Sequence, residues 1–479
     1  MRTCLKAVCL LLLLTPARAQ QLYKEFEVDS AARPRGGFAL LERFLDVNRR
    51  MPYAAEVSRV QGRVILSAIV GPGGEVSEVS VLRGLRPDCD REAVRVFKLF
   101  RAWQPALKDG KPVRQQLTYH VRFAPGPLKA EPGQTTAFYN KDGFQTPDST
   151  QAGFKIVTPV DSTGIPNGTP VFFTAENGKW QRTFEYILEK KTIARYNDDP
   201  DAPDSIQVTS IRSSNLLYQS DGPCYSFYPD GALFAQEHFS AGKPAGQAKY
   251  YYPNGMVRRL EETLADDQIR EWHWHPNGQL ARVSVRKPAA PGASSLVLLN
   301  LWDAAGKPLV TEGNGTARMV SKQNSRLLEE TGRVKDGEKE GVWEGRFADG
   351  GLFYRENYQA GKFLSGMAYY GTDSVAYGEP ERNPEFKGGM NSLGQFLASN
   401  IRYPEFASKN RIQGRVVISF VVCEDGSLCN YEVIQGVHST VDREALRVVK
   451  ASNGKWKPGI QRGKPVRVRH RLPVNFQLN

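Results

Sequence analysis

The chain has 479 residues, enough for about three domains, and its 40% hydrophobic and 24% charged residues are typical of a globular protein. Its net charge of +13 would suit an acidic peptide or an anionic surface, with a merely solvated basic face as the alternative. The sequence lacks a nucleophile elbow, a zinc-protease helix and a phosphate-binding glycine loop, so it offers no argument for an enzyme or for a cofactor.

Residues 1–19 have the features of a secretory signal peptide. They begin with a positively charged stretch, continue with a short apolar run over residues 8–14, and end in Ala17-Arg18-Ala19, which fits a cleavage site. Because the apolar run is too short to cross a bilayer as a helix, we expect cleavage after Ala19 and an exported chain that begins at Gln20. An uncleaved membrane anchor is the alternative. Export also argues against nucleic acid as the partner of this basic chain.

The two ends of the chain repeat each other. Residues 61–64 are identical to residues 413–416, an offset of 352 positions. The offset becomes 353 at Trp103, because one residue has been inserted in a loop, where insertions cost little. The repeat predicts two copies of one module, over residues 33–125 and 384–479.

The middle of the chain has a different composition. Residues 126–137 are rich in Gly, Pro and Thr and predict a linker. In residues 138–370, aromatic residues lead into Asp-Gly or Asn-Gly turns, which recur at 227–231, 251–255 and 274–278. A regular period with a turn signature predicts one β-hairpin per repeat. These turns resemble MORN-type repeats, which implies an all-β array that serves as an interaction surface or a spacer.

Residues 384–479 show the clearest pattern of elements. Apolar residues at helical spacing run from 386 to 401, and Pro404 ends that helix. Residues 413–422 alternate as a strand, Asp425-Gly426 predicts a hairpin turn, and a second helix and a last strand follow. This order predicts a three-stranded antiparallel sheet covered by two helices. We therefore predict an α+β fold class, with two such modules flanking the hairpin repeats.

The last predicted strand, over residues 466–476, has two different faces. One face can pack on the helices and holds Val466, Val468, Leu472, Val474 and Phe476. The other face holds Arg467, Arg469 and Arg471. Basic residues on an edge strand oppose self-association and attract acidic partners, and a solubilising role alone is the alternative.

These motifs together resemble the C-terminal domain of TonB, the energy transducer of the Gram-negative envelope. The resemblance rests on Tyr403-Pro404, on Gly414 with the alternating strand after it, on the Asp425-Gly426 turn, and on residues 456–459. It implies a non-catalytic periplasmic domain for transmembrane transport, which binds an extended peptide of an outer-membrane receptor by strand addition. The residues that we predict to contact the partner are Asn400, Arg402, Tyr403, Pro404, Val466, Arg467, Val468, Arg469 and Arg471.

The first copy departs from the family pattern at several positions. Met51 replaces the tyrosine before proline, and Gly73-Gly74 replaces Asp-Gly. Gln115 and Gln116 stand where the second copy has Val468 and Arg469. We expect the first copy to keep the fold, and these differences leave open whether it binds a peptide.

A non-catalytic periplasmic scaffold is the second interpretation. The sequence has no long Pro-Lys linker and no apolar stretch that spans a membrane. It therefore shows no evident route by which a force from the inner membrane would be transmitted to this chain. Such a scaffold would hold envelope proteins or peptidoglycan together.

No small-molecule substrate is evident. We also predict no metal, because His273 and His275 share a strand face without a third ligand near them in sequence.

Cys423 and Cys429 flank the predicted hairpin turn. A two-residue turn would pair Val422 with Cys429 and would place the cysteines on opposite faces. A three-residue turn with a bulge would place them opposite each other. The first register aligns Phe420 with Tyr431 and is favoured, which argues against a disulfide and leaves the question open.

Overall fold

The computed structural model describes residues 21–126, 128–140, 145–147, 149–196, 202–203, 205–216, 219–288, 294–323 and 326–478. The predicted signal peptide, residues 1–19, lies outside the described residues. Within the described ranges, none of the helices combines the length and the hydropathy that a membrane crossing requires.

The first module starts with a short strand and ends with a long one. Its elements are β1 (Leu22–Tyr23), a 3-10 turn (Glu25–Glu27), β2 (Arg33–Pro34), α1 (Phe38–Asn48), α2 (Tyr53–Val57), β3 (Gly62–Val70), β4 (Val76–Arg83), α3 (Pro87–Leu99), β5 (Trp103–Gln104), β6 (Ala106–Lys108) and β7 (Lys111–Phe123). The main sheet has the order β1-β7-β3-β4, with β6 added to β7. The β3 strand pairs antiparallel with both β4 and β7, whereas β1 runs parallel to β7.

The helices cover one face of this sheet because their apolar residues recur every three or four positions. Leu41 and Phe44 of α1 are fully buried, and so are Ala93 and Phe97 of α3. The ring of Phe97 lies 5.9 Å from that of Trp103, which is also buried. The core of the module therefore lies between the helices and the sheet.

A small separate sheet follows the first module. Its strands are β8 (Lys129–Glu131), β9 (Gln134–Tyr139), β10 (Gln145–Thr146), β11 (Phe154–Pro159), β12 (Val171–Glu176) and β13 (Lys179–Glu185). Their order is β10-β9-β11-β12-β13, and β8 pairs with β9. The predicted linker, residues 126–137, contains β8 and the start of β9, so much of it is part of this sheet.

One long antiparallel sheet contains the predicted hairpin repeats. Its 17 strands follow each other in chain order. They are β14 (Ile187–Tyr196), β15 (Ser205–Ser214), β16 (Ser220–Phe227), β17 (Leu233–Ser240), β18 (Lys243–Pro244), β19 (Gln247–Tyr251), β20 (Val257–Thr263), β21 (Ile269–Trp274), β22 (Leu280–Pro288), β23 (Ser294–Trp302), β24 (Pro308–Thr311), β25 (Asn314–Gln323), β26 (Arg326–Lys335), β27 (Glu338–Phe347), β28 (Leu352–Gln359), β29 (Lys362–Tyr370) and β30 (Asp373–Tyr377).

Successive aromatic turns of this long sheet are bonded to one another. The hydroxyl of Tyr228 donates to the backbone oxygen of Tyr251 at 2.8 Å, and that of Tyr252 donates to Trp274 at 2.9 Å. The ring of His275 lies 3.0 Å from the backbone oxygen at the end of β23. Each turn is thus hydrogen-bonded to the end of the strand that precedes the next turn. These bonds explain why the turns recur at a regular spacing in the sequence.

The C-terminal module repeats the design of the first one. Its elements are β31 (Glu381–Arg382), β32 (Glu385–Phe386), α4 (Gly389–Asn400), α5 (Glu405–Lys409), β33 (Gly414–Val422), β34 (Leu428–Gln435), α6 (Ser439–Ala451), β35 (Trp456–Lys457), β36 (Gly459–Gln461), β37 (Lys464–Val466) and β38 (Val468–Phe476). The main sheet has the order β34-β33-β38 and is antiparallel. Its core contains Phe420, Trp456 and Phe476, all of which are buried.

The predicted α+β class is wrong, because strands make up 55% of the structure and helices 14%. The long sheet and the small separate sheet outweigh the helices of the two end modules. The modules also differ from the predicted plan of three strands and two helices. Each has an additional short helix, α2 or α5, and the first sheet has five strands. A mainly β chain is the correct description.

Candidate partner-binding edge of the C-terminal module

The candidate site is the outer edge of β38. This strand pairs along its whole length with β33, from Val468 opposite Val422 to Phe476 opposite Gly414. In the part of the chain that the structure describes, no strand lies on its other side. An edge strand of this kind offers unpaired backbone N–H and C=O groups to another chain.

Pro473 indicates which residues of β38 direct their backbone groups outward. It lies opposite Val417 in a continuous antiparallel register. A proline has no N–H to donate, so it is tolerated where the backbone faces away from the neighbouring strand. Alternate residues of an antiparallel strand direct their backbone groups to the same side. We infer that Arg469 and Arg471 share the outward side with Pro473.

The side chains of β38 alternate between the core and solvent, as the sequence predicts. Leu472, Val474 and Phe476 are buried. His470 lies on the same face, 5.1 Å from the ring of Trp456, and burial lowers the pKa of its imidazole. The outward backbone positions are therefore the ones whose side chains face solvent.

The solvent face of β38 is basic. Arg467, Arg469 and Arg471 are all exposed. Arg469 lies 3.3 Å from the hydroxyl of Ser419 and 3.7 Å from the carboxylate of Glu432, in an ion pair that is open to solvent. Exposed pairs of this kind are weak and exchange readily. A partner strand at this edge would thus meet positive charge on its exposed face.

The predicted strand 466–476 is not continuous, because β37 ends at Val466 and β38 begins at Val468. Val466 pairs with Gly459 in the β36–β37 hairpin. Arg467 lies between the two strands, with its guanidinium 3.5 Å from the sulfur of Cys429. Val466 therefore lies outside the edge strand, and the prediction for it as part of that strand is wrong.

The predicted segment 400–404 lies near the far end of β38. The hydroxyl of Tyr403 donates to the backbone oxygen of Ile412 at 2.5 Å, and its ring meets that of Phe476 edge to face at 5.7 Å. Pro404 is the residue directly before α5. The segment and Arg467 thus lie at opposite ends of the strand, so one short ligand would not reach both.

Bonds to α6 hold this segment in place. The backbone N–H of Arg402 donates to the carboxylate of Glu444 at 2.6 Å, and Arg447 donates to the backbone oxygen of Asn400 at 2.6 Å. The Arg447 guanidinium beside Glu444 also holds the pKa of that carboxyl below its usual value. The Arg402 side chain is left exposed.

In the first copy, the equivalent edge is partly covered by the chain itself. Leu22 of β1 pairs with Arg114, and Tyr23 pairs with Gln115, both in parallel. By the sequence repeat, Arg114 and Gln115 are equivalent to Arg467 and Val468. The carboxamide oxygen of Gln115 accepts a hydrogen bond from the backbone N–H of Ala32 at 2.6 Å, which ties the incoming segment down.

The equivalent of segment 400–404 is also covered in the first copy. Asn48, at the position of Asn400, accepts a hydrogen bond from the backbone N–H of Val257 in the long sheet at 2.6 Å. Arg50, at the position of Arg402, donates to Gly255 at 3.1 Å and lies over the ring of Tyr251 at 5.2 Å. A part of each surface that the sequence predicts for partner binding is therefore occupied, in the first copy, by another part of the chain.

The C-terminal module contacts the long sheet through a different part, the β36–β37 hairpin. Arg462 at the hairpin tip donates to the carboxylate of Glu356 at 2.9 Å and lies 3.8 Å from the centre of the Tyr354 ring. This contact leaves the outer edge of β38 and the side chain of Arg402 uncovered. Sequence reasoning missed it, although the repeat itself offered a signal, since the equivalent tip residue in the first copy is Asp109.

The described residues contain no cluster of three or more His, Cys, Asp or Glu side chains that could hold a metal ion. The sequence predicts that His273 and His275 alone do not bind a metal ion. In the structure, both side chains contact other groups of the chain. His273 lies 3.3 Å from the carboxylate of Glu271, and burial lowers the pKa of its imidazole to about 4.

Comparisons with known families give matches in the two end modules and in the long sheet. Residues 47–125 and 399–478 each match the family model of the Gram-negative bacterial TonB protein C-terminal, and residues 245–263 match a MORN repeat variant. The resemblances to both families are thus confirmed, and the chain carries two segments of a Gram-negative envelope family.

Solved structures and curated proteins add little to these matches. Two solution structures of the TonB C-terminal domain of Helicobacter pylori are similar to part of the chain, each at 24% identity and a TM-score of 0.16. They cover 19% and 18% of this chain, and 80% and 91% of their own lengths. A search of curated proteins found no match.

Proposed function

We propose that this protein is a TonB-like component of the Gram-negative periplasm, whose C-terminal module binds an extended segment of an outer-membrane receptor or of another envelope protein. The segment adds as a strand to the outer edge of β38. One observation carries the proposal. The two copies of the module share their fold, yet in the first copy β1 covers the positions equivalent to Arg467 and Val468 and Val257 binds the residue equivalent to Asn400, whereas the described residues add no strand to the outer edge of β38.

The chemistry of the edge favours an acidic partner. The backbone groups of Arg469 and Arg471 face outward, and the side chains of both residues are exposed. A residue directly opposite an edge residue lies on the same face of the sheet, about 5 Å away. Acidic side chains at those positions would therefore pair with the two arginines.

A periplasmic scaffold is the second candidate function. It is favoured by the way in which both modules are attached to the long sheet. Val257 of the sheet belongs to the same buried core as Phe44 of the first module, and the C-terminal module is anchored through Arg462. A rigid platform with an exposed edge would also hold envelope proteins or peptidoglycan in place.

The test uses the whole exported chain and extended peptides from outer-membrane receptors. Arg471→Pro removes an outward N–H without touching the bonds to β33, and Pro473 shows that the strand tolerates proline on this side. The matched control is Thr118→Pro, which makes the same change at the equivalent position of the first copy. Circular dichroism confirms that each variant is folded before binding is measured.

We expect the wild type and Thr118→Pro to bind such a peptide with equal affinity, and Arg471→Pro to bind it at least tenfold more weakly. Equal binding by folded Arg471→Pro would overturn strand addition at this edge. If no receptor peptide binds the wild type and the chain instead recovers only peptidoglycan from envelope extracts, the scaffold is the better description.

A further inference from the structure

Cys423 and Cys429 are brought together at the tip of the β33–β34 hairpin. Their sulfur atoms are 2.9 Å apart. The register places Val421 opposite Cys429 and Val422 opposite Leu428. The expected pairing of Val422 with Cys429 is therefore wrong, and the two cysteines share one face of the hairpin.

A bulge causes this shift in register. Ile418 still pairs with Val433, but the pairing is irregular between Ser419 and Val421. Asn430, in the bulge, has a φ of 53°, the left-handed conformation that asparagine tolerates better than most residues. The extra residue in β34 shifts Cys429 from a position opposite Val422 to one opposite Val421, one step farther from the turn, which a two-residue hairpin pattern does not predict.

The first copy has the same turn without cysteines. Gly71 and Ser77 stand at the positions of Cys423 and Cys429. The N–H of Gly71 donates to Glu75 at 2.9 Å, just as that of Cys423 donates to Ser427 at 2.8 Å. Since the turn forms with glycine and serine, the sulfur atoms are not needed to build it.

The pair is accessible to thiol reagents. Cys423 and Cys429 are partly exposed, whereas Cys89 and Cys224 are buried. The guanidinium of Arg467 lies 3.5 Å from the sulfur of Cys429. The side-chain hydrogen bond with Cys429 raises the pKa of the Cys423 thiol, and an external disulfide is attacked once a thiolate forms.

We propose that Cys423 and Cys429 are a reversible redox pair, which closes to an intramolecular disulfide by exchange with a low-molecular-weight or protein disulfide. The thiolate of one cysteine attacks a sulfur of the external disulfide, forms a mixed disulfide and releases the first external thiol. The second cysteine then loses its proton and attacks the sulfur of the first, which releases the second external thiol. Two protein thiols lose two protons and two electrons, and one external disulfide is reduced to two thiols.

This proposal stands on the hairpin alone and does not depend on peptide binding. Closing the bond requires the sulfurs to approach from 2.9 Å to about 2.05 Å, a shift of roughly 0.9 Å that side-chain rotation can supply. Because both sulfurs are partly exposed, an external disulfide or thiol can reach them in the folded chain.

The test incubates the native full chain with oxidised glutathione and then blocks the remaining thiols. Trypsin cuts after Arg415 and Arg443 and leaves both cysteines in one peptide, residues 416–443. We expect that peptide to lose the mass of two hydrogens and to regain it when the folded chain meets reduced glutathione. Cys423→Ser is the matched control, which we expect to form only an adduct of glutathione on Cys429.

Any of four results would overturn the proposal. The peptide would keep two free thiols, or it would carry two glutathione adducts, or the disulfide would resist every ratio of reduced to oxidised glutathione while the chain stays folded. A bond between two chains, seen as a dimer on a non-reducing gel, would also count against it. The variants Cys89→Ser and Cys224→Ser should behave like the wild type, since both side chains are buried.

Discussion

Leu22 pairs in parallel with Arg114, at the position equivalent to Arg467 of the C-terminal copy, where the described part of the chain adds no strand. Duplication thus produced two modules of one design that differ in what covers them. The first module has become attached to the chain around it, through β1 at its edge and through Asn48 at its second surface. Among the residues that the structure describes, no strand is added to the edge of the last module, and its Arg402 side chain is exposed.

Gln115→Val should loosen the segment that closes the first module. The substitution introduces the residue type that the C-terminal copy has at this position, Val468, and removes the acceptor for the buried N–H of Ala32. An unpaired buried donor costs about 1–3 kcal/mol, so we expect the free energy of unfolding to fall by that amount. Hydrogen exchange of residues 22–32 and chemical denaturation measure the effect.

The control for that prediction is Gln104→Val. Gln104 accepts a hydrogen bond from Arg33 at 2.7 Å, but this bond is exposed. Losing it should change the stability by no more than about 0.5 kcal/mol. If Gln115→Val leaves the exchange of residues 22–32 unchanged, Gln115 does not hold the segment.

Arg462→Ala should weaken the attachment of the C-terminal module to the long sheet. The side chains of Arg462 and Glu356 are 11% and 1% exposed, so the substitution leaves a buried carboxylate without its cation. Breaking one partner of a buried pair costs roughly 3–5 kcal/mol. We expect a lower unfolding temperature and faster proteolysis of residues 378–384, which connect the module to the sheet.

Arg469→Ala serves as the comparison for Arg462→Ala. Its ion pair with Glu432 is 55% and 64% exposed, and such pairs contribute at most about 1 kcal/mol. Similar losses of stability in the two variants would show that Arg462 is not an anchor.

Much of the C-terminal module could be predicted from sequence because its signals are local. Alternation over residues 413–422 matches β33 (Gly414–Val422), and alternation in the last strand separates its arginines from its core residues. The repeat of residues 61–64 at 413–416 revealed the duplication directly. Local periodicity and identity are the strongest signals that a single sequence carries.

The missing parts depend on contacts between distant residues. The β1 strand has only two residues and therefore no period, and it pairs with residues about 90 positions away. The contact of Arg462 with Glu356 spans 106 positions. The bulge at Asn430 follows from a single left-handed residue, which hairpin rules for two-residue turns do not anticipate. The α+β class is wrong because the 17-stranded sheet contributes far more residues than the helices of the two end modules.

Acidification should destabilise the C-terminal module through His470. Burial lowers the pKa of this imidazole in the folded state below its ordinary value of 6.5. Below pH 6.5 the unfolded state therefore binds more protons than the folded state, so stability is lost as the pH falls from there toward the folded-state pKa. His470→Leu, which introduces the residue of the first copy, Leu117, should remove this part of the pH dependence.

The measurement is the free energy of unfolding of the full chain between pH 8 and pH 5, for the wild type and for His470→Leu. His238 and His273 also have lowered pKa values, and they contribute equally to both proteins. The difference between the two curves therefore reports on His470 alone. Parallel curves over this range would contradict the prediction.

Reversing the charge of the open edge should weaken the binding of acidic peptides. In the double variant Arg469→Glu and Arg471→Glu, two attractive cross-strand pairs become repulsive. Each such pair contributes about 0.2–1 kcal/mol, so we expect a loss of about 1–2 kcal/mol, or roughly five- to thirtyfold in Kd. Added salt should reduce the difference, because exposed charges are screened.

The control for charge reversal must change the net charge without touching the edge. The control is the double variant Arg63→Glu and Arg415→Glu. Both arginines are exposed, at equivalent positions of β3 and β33, and replacing both changes the net charge by the same amount as the edge variant does. We expect this control to bind acidic peptides nearly as well as the wild type. If it loses as much affinity as the edge variant, the peptide responds to the overall positive charge of the protein, and the arginines of β38 have no specific role in recognition.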